Sequence, residues 1–250
     1  MLSQIFPMTI PIDRKLDYNF RTSLGFHDMQ NNSKLIIFDF DGTLADTLSA
    51  LLRITNRLAP EFGYPQISDE QLANLKYLSS WEIIRFSKVA LWKLPFLLKR
   101  VKEEFPGEVR NVKFFPGVIE LLNTLNLQGY RLGIVSSNSE SNIRSLLKEN
   151  QIEDLFEFVT GASTFGKGKA IGKLIKQYQC SKSDVIYIGD EIRDIQAARS
   201  ISIRVVSVGW GFNAPTALMD RQPDLLITKP LALINALARF YPAPTTPFAV

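Results

Sequence analysis

The sequence predicts an α/β protein, a doubly wound parallel sheet with an all-helical insertion after its first strand. Three observations predict it. Short apolar runs take turns with helical patterns, the runs are continuous rather than alternating apolar with polar, and one interval between runs is far too long for a single crossover helix. Continuous apolar runs suit strands covered on both faces. Strands separated by helices imply right-handed crossovers and parallel pairing.

The runs are "LIIFDF" at 35–40, "RLGIVS" at 131–136, "DVIYIG" at 184–189 and "RVVSVG" at 204–209, with "LLIT" at 225–228 a weaker fifth. Helical spacing follows each. Pro116 opens a helix carrying Val118, Leu121, Leu122 and Leu125, which Gly129 closes. Ile143, Leu146 and Leu147 mark a second helix ending near Asn150, and Ile171, Leu174, Ile175 and Tyr178 a third. Ile192, Ile195 and Arg199 outline a fourth. From 48 to 112 there is no strand signal, only helical patterns broken by Pro60, Gly63, Pro65, Pro95 and Pro106. This stretch reads as a helical cap with a solvated basic face: Lys88, Lys93, Lys99, Arg100 and Lys102. A core of 34–47 and 113–240 remains, with a loose extension over 1–33 and a proline-rich, flexible tail over 241–250.

The chain has 250 residues, is 46% hydrophobic and 22% charged, and carries a net charge of +4. That is an ordinary globular balance with no dense basic block, so nucleic acid is not an expected partner, whereas a small anion is. A single cysteine, Cys180, forbids an internal disulfide and fits a reducing compartment. The only histidine, His27, lies in the leader, which makes histidine-based metal or catalytic chemistry an unattractive reading. No apolar run approaches the roughly 18 residues that span a bilayer, and the leader lacks a clean signal pattern. The expected location is cytoplasmic, with no membrane partner; oligomeric state is not legible.

Chemistry-bearing residues fall at the carboxyl ends of the strands, where α/β sheets bind ligands. The first strand ends in Asp39 and Asp41, two apart, so both carboxylates of an extended chain project to one side. Two crowded anions cost energy unless something requires them. The second strand ends in Ser136, Ser137 and Asn138, a later loop carries Lys167 and Lys169, and "VIYIG" leads to Asp190, Glu191 and Asp194. Each has a use in phosphoryl transfer. A divalent cation removes the repulsion between a carboxylate and a phosphate dianion, and magnesium takes hard oxygen ligands. Asp39 and Asp190 are natural ligands, with a backbone carbonyl near Asp41 as a third. Ser136 and Lys167 can hold phosphoryl oxygens. Gly42 permits a tight exit that brings amides, with Thr43 beside them, toward the phosphate. Singly, Asp-x-Asp-Gly and Ser-Ser-Asn are common in turns, and "GDEIRD" suits a helix N-terminus. Their order and common edge carry the argument.

"DFDGTLADT", "IVSSN", "FGKGKA" and "YIGDEIRD" resemble the four motifs of the haloacid dehalogenase-like hydrolase superfamily, in its phosphoglycolate phosphatase-like branch with a helical cap. The resemblance runs from about Leu35 to Pro230. It implies a Rossmann-like core, Asp39 as nucleophile, Asp41 as general acid/base, Ser136 and Lys167 as phosphate holders, Asp190 as a magnesium ligand and Asp194 as a supporting acid at the metal. The third motif leaves Lys169 as a competitor to Lys167, which glycine follows directly. Trp210, in "SVGWGF", reads as part of a structural loop under the site. The implied reaction is magnesium-dependent hydrolysis of a small phosphomonoester, 2-phosphoglycolate foremost. Asp41 speaks against dehalogenation, in which no leaving group needs a proton. A sugar-phosphate mutase keeps the same motifs, and a receiver-like or non-catalytic phosphate-binding module is the alternative from another class.

Overall fold

The computed structural model describes residues 34–241 apart from 88, 164 and 165. The leader with His27, Lys88 of the cap and the tail from 242 lie outside the described residues. The first strand, β1 (Leu35–Phe38), pairs in parallel with β4 (Arg131–Ser136) on one side and β6 (Val185–Gly189) on the other. The sheet continues outward to β5 (Phe158–Gly161) beyond β4, and to β7 (Arg204–Val208) and β8 (Leu225–Ile227) beyond β6. Its order is β5-β4-β1-β6-β7-β8, parallel throughout.

Side chains alternate along these strands, and both faces are apolar, which is why the runs in the sequence are unbroken. Ile36, Phe38, Ile134, Ile186, Ile188 and Val206 face helices α5 (Val118–Leu127), α6 (Glu140–Glu149) and α10 (Ala232–Phe240). Leu35, Ile37, Val135, Val185, Tyr187 and Val205 face α7 (Lys167–Gln177), α8 (Ile192–Ser200) and α9 (Pro215–Met219). This is the doubly wound arrangement the sequence predicts.

Three expectations need correction. The sheet has a sixth strand, β5, where the sequence shows only "FEFV" leading into a loop. It is a four-residue edge strand with two buried residues followed by Thr160 and Gly161, too short and too polar to stand out. Gly133 on β4 makes it possible, because a Cβ there would lie 2.2 Å from the Phe158 ring. The second correction is Pro116, which lies outside α5; Gly117, at φ 86°, is that helix's N-cap. Tyr241, assigned to the tail, instead sits beside Lys34 and Arg204.

The insertion holds α1 (Leu48–Phe62), α2 (Asp69–Leu75), α3 (Ser80–Ser87) and α4 (Leu94–Glu104), with 3₁₀ segments Leu91–Lys93 and Phe105–Asn111. Gly63, at φ 75°, closes α1, and a reciprocal Ser68–Gln71 box opens α2. The chain enters and leaves through a two-stranded antiparallel neck, β2 (Ala45–Asp46) against β3 (Lys113–Phe114). Side chains from the core also reach the cap's backbone. Asn213 donates to the carbonyls of Lys76 (2.9 Å) and Leu78 (3.0 Å), and Asn142 donates to that of Lys102 (3.1 Å).

Candidate active site

The chain turns sharply after β1. The Asp39 amide still donates to Ile188 across the sheet, while Leu44 and Ala45 fold back onto the Phe40 carbonyl. Gly42 sits at φ 76°, and a Cβ there would lie 2.2 Å from Asp190 Oδ2. Both conformation and space therefore demand glycine. The close approach lets the Thr43 hydroxyl donate to Asp190 Oδ1 at 2.6 Å, while the Phe212 amide donates to Oδ2 at 2.7 Å. Thr43 thus orients Asp190, and Trp210 steadies the turn by donating to the Thr43 carbonyl at 3.0 Å.

Asp39, Asp190, Asp194 and Lys167 are all buried at the carboxyl edge of β1 and β6. The Lys167 ammonium bridges Asp39 Oδ2 and Asp194 Oδ1, the latter at 2.6 Å. Burial pulls the lysine pKa down, but Asp194 and Asp39 outweigh it, so the net shift is upward. Lys167 is the first residue of α7, and Lys169, two positions on, is exposed. The Glu191 amide donates to Asp194 Oδ2 at 3.0 Å.

Asp39, Asp190 and Asp194 each offer a carboxylate oxygen, and these oxygens lie within 4.8 Å of one another. Burial, reinforced by Glu191, Asp194 and Asp39, holds Asp190 well above the usual carboxylate range. Burial also lifts Asp194 to about 6 despite Lys167. Hard oxygen donors that resist carrying charge unaided fit a divalent cation such as magnesium.

Asp41 stands apart from that cluster. Its carboxylate accepts from Asn138 Nδ2 at 3.1 Å and from Ser136 Oγ at 3.4 Å. Burial first, and Asp39 second, raise its pKa to about 6. Asn138 is held in turn by the Ser139 amide and by Asn142. Ser137 Oγ accepts from Arg193 at 3.3 Å. Beyond Asp41 opens a cavity of about 730 Å³ between cap and core. Leu48, Leu51, Leu72, Ile84, Val101 and Phe115 are among the residues of its largely apolar wall. Of the cap's described basic residues, Lys99 and Lys102 line it, whereas Lys93 donates to the Phe62 carbonyl and Arg100 pairs with Glu61 and Glu104.

Sequence reasoning assigned no role to Glu191, Arg193 or Asn213. Glu191 and Arg193 form a 2.5 Å ion pair on the cavity wall; both stand inside the quoted "GDEIRD" motif, which was the available signal. Asn213 accepts from the Ile192 amide at 2.9 Å as well as tying the cap, and nothing in its own stretch of sequence marks it.

The haloacid dehalogenase-like hydrolase family model matches residues 36–208. A phosphoglycolate phosphatase of Synechococcus elongatus is 38% identical over 205 residues, covering 82% of this chain and 97% of that protein. One from Aliivibrio fischeri is 27% identical over 212 residues, covering 79% and 93%. Among solved structures, a predicted phosphatase from Clostridium acetobutylicum superposes with a TM-score of 0.73 at 18% identity, covering 83% of this chain and 99% of that one. A haloacid dehalogenase-like family hydrolase from Streptococcus pneumoniae superposes with 0.68 at 23% identity, covering 83% and 100%. Those two structures speak for the fold. Together with a family match across most of the chain, the first relative makes the assignment: the chain belongs to the haloacid dehalogenase-like hydrolase family of enzymes.

Proposed function

We propose that this enzyme is a magnesium-dependent phosphomonoester hydrolase working through an aspartyl-phosphate on Asp39. The observation that most supports the reading is the buried set Asp39, Lys167, Asp190 and Asp194, with a carboxyl of raised pKa, Asp41, set beside it on the cavity side. Asp39 attacks phosphorus in line, and the ester oxygen leaves. Asp41 protonates that oxygen and later takes a proton from the water that opens the acyl phosphate. A pKa near neutrality suits a group that must do both. Lys167 and Ser136 hold phosphoryl oxygens, and Thr43 and the Phe212 amide keep Asp190 in place. A magnesium ion held by Asp39, Asp190 and Asp194 supplies, when bound, positive charge against the crowding of phosphate and carboxylates.

The substrate is a small phosphorylated metabolite. The two curated relatives above are phosphoglycolate phosphatases, which makes 2-phosphoglycolate the first compound to test. A cap that closes over its cavity favours metabolites over phosphoprotein, because water has to be excluded around the ester. A phosphate-release screen over phosphometabolites, with Asp39→Asn as blank, tests the proposal. Phosphate released only by the unaltered chain supports it. Retention of phosphate on an isomerised sugar product would replace it with a mutase.

A further inference from the structure

The loop after β7 runs between the acid cluster and the cap, and its consecutive groups divide their hydrogen bonds between the two. The Phe212 amide donates to Asp190 Oδ2 at 2.7 Å, and the Asn213 amide donates to the Asp190 carbonyl at 3.3 Å. The next amide, that of Ala214, donates instead to the Lys76 carbonyl of the cap at 2.8 Å. The Asn213 side chain repeats the division. Its Oδ1 accepts from the Ile192 amide, in the first turn of α8, at 2.9 Å, and its Nδ2 donates to the carbonyls of Lys76 and Leu78 at 2.9 and 3.0 Å. Asn213 is buried, with both donors and its acceptor engaged. Its partners are groups that helices leave open: an amide at the start of α8 and carbonyls just past the end of α2. Trp210, Gly211 and Phe212 of the loop line the cavity opposite Leu72 and Leu75 of α2. A Cβ on Gly211 would overlap Asp190 and the Gly42 carbonyl, so the loop lies hard against the acid.

We propose that Asn213 is a positioning residue that makes docking of the cap's α2 and placement of Asp190 a single event. The proposal rests on the phosphatase reading and deepens it. If α2 lifts from the core, the two N–H groups of Asn213 lose their partners inside a buried site, and the amide must turn to find others. Turning it withdraws Oδ1 from Ile192 and loosens the strand-to-helix turn that carries Asp190, Glu191 and Asp194. Conversely, a divalent cation held by Asp190 stiffens that turn and favours the docked cap, because coupling between two sites is reciprocal. The acids are then set for reaction when the cap has shut out water.

Two substitutions disturb the cap's side of the loop and leave the acid's side bonded. Ala214 has φ −61°, which proline adopts, so Ala214→Pro removes the amide that reaches Lys76 without touching Asp190. Asn213→Asp keeps an acceptor for Ile192 and removes both donors to the cap, and it serves if the proline variant does not fold. Deuterium exchange is followed by mass spectrometry over 69–79 and 190–196, with β1 and β4 as the control for folding, and magnesium binding is measured by calorimetry. Either variant should speed exchange in both segments about fivefold or more and weaken magnesium binding about tenfold. In the unaltered chain, magnesium alone should slow exchange over 69–79, which contains none of Asp39, Asp190 and Asp194. Faster exchange over 69–79 alone, with magnesium binding unchanged, overturns the proposal, as does no change in either segment. If the unaltered enzyme releases phosphate from no monoester, the phosphatase reading falls while exchange and calorimetry still decide the coupling. If it binds no magnesium, the metal assignment falls and exchange in the two segments decides alone.

Discussion

Asp39 and Asp41 leave one strand two positions apart and meet different partners, a lysine and metal-type acids for the first, Ser136 and Asn138 for the second. If Asp39 is the nucleophile, Asp39→Asn keeps the shape and removes the chemistry. Its kcat/KM should fall to no more than a few per cent, a loss above about 2 kcal/mol, with an unchanged circular dichroism spectrum. Asp41 makes a separate prediction for metal-free protein. Its folded pKa is raised from 3.8 to about 6, so folding penalises the ionised form. The penalty is absent below pH 4, grows as pH rises and is complete above about pH 6. In EDTA at pH 7.5, Asp41→Asn should therefore unfold at higher denaturant than the unaltered chain, by about 1 to 3 kcal/mol, and the gap should close toward pH 4. A gap independent of pH would contradict the electrostatic origin. Lys167 and Lys169 give a third contrast. Lys167→Ala leaves two buried carboxylates facing each other and should lower both kcat and stability, the latter by about 3 kcal/mol or more. Lys169→Ala, on an exposed helix face, should change neither beyond about twofold in kcat. The reverse ranking would move the phosphate-holding role to Lys169.

At the scale of elements, the turn after β1 and the loop after β7 are interlocked through Asp190. Gly42 makes room for its carboxylate and Phe212 donates to it, so two loops remote in sequence fix one acid. Gly42→Ala would add strain at a left-handed φ, on the order of 1 kcal/mol, and a Cβ 2.2 Å from Asp190 Oδ2. The expected outcome is a magnesium titration of activity shifted about tenfold or more to higher concentration. A curve superimposable on the unaltered enzyme's would show that Asp190 needs no such support. The β4–β5 pair shows the same economy in the core, since Phe158 packs over the bare face of Gly133.

For the molecule as a whole, the cap and core meet at a cavity that Asp41 and Glu191 line from the core side and whose wall is largely apolar. The neck strands and the side chains of Asn213 and Asn142 tie the two together. Asp190 and Asp194, which burial makes reluctant to ionise, stand with Asp39 in one cluster that calls for a compact divalent cation. Activity should vanish in EDTA, return with magnesium and return poorly with calcium, whose looser and higher coordination misplaces in-line attack. Full activity in chelator would contradict the metal assignment. On substrate, phosphoglycolate should exceed aryl phosphate and glucose phosphates in kcat/KM by about tenfold, or about 1.4 kcal/mol. A flat profile would point to a broad phosphatase instead.

The residues that the sequence alone determines are those whose surroundings are local. Unbroken apolar strands declare a sheet covered on both faces, and the carboxyl ends of those strands carry Asp39, Ser136 and Asp190 directly into one edge. Helical periodicity likewise marks α5 to α8, because one face of each is buried along its whole length. What the tertiary structure decides depends on contacts between distant segments. Strand β5 exists because Gly133 makes room for Phe158, and its own four residues carry too little apolar signal. Lys167 is separated from Lys169 only by the direction in which the first turn of α7 aims its side chains. Asn213 joins the start of α8 to the cap through three hydrogen bonds that span more than a hundred residues in two cases. Thr43 and Asn138 have polar side chains suited to a substrate, yet the fold commits them to Asp190 and Asp41. Periodicity reports which face of an element is buried, whereas hydrogen bonds between remote segments exist only after the chain has closed.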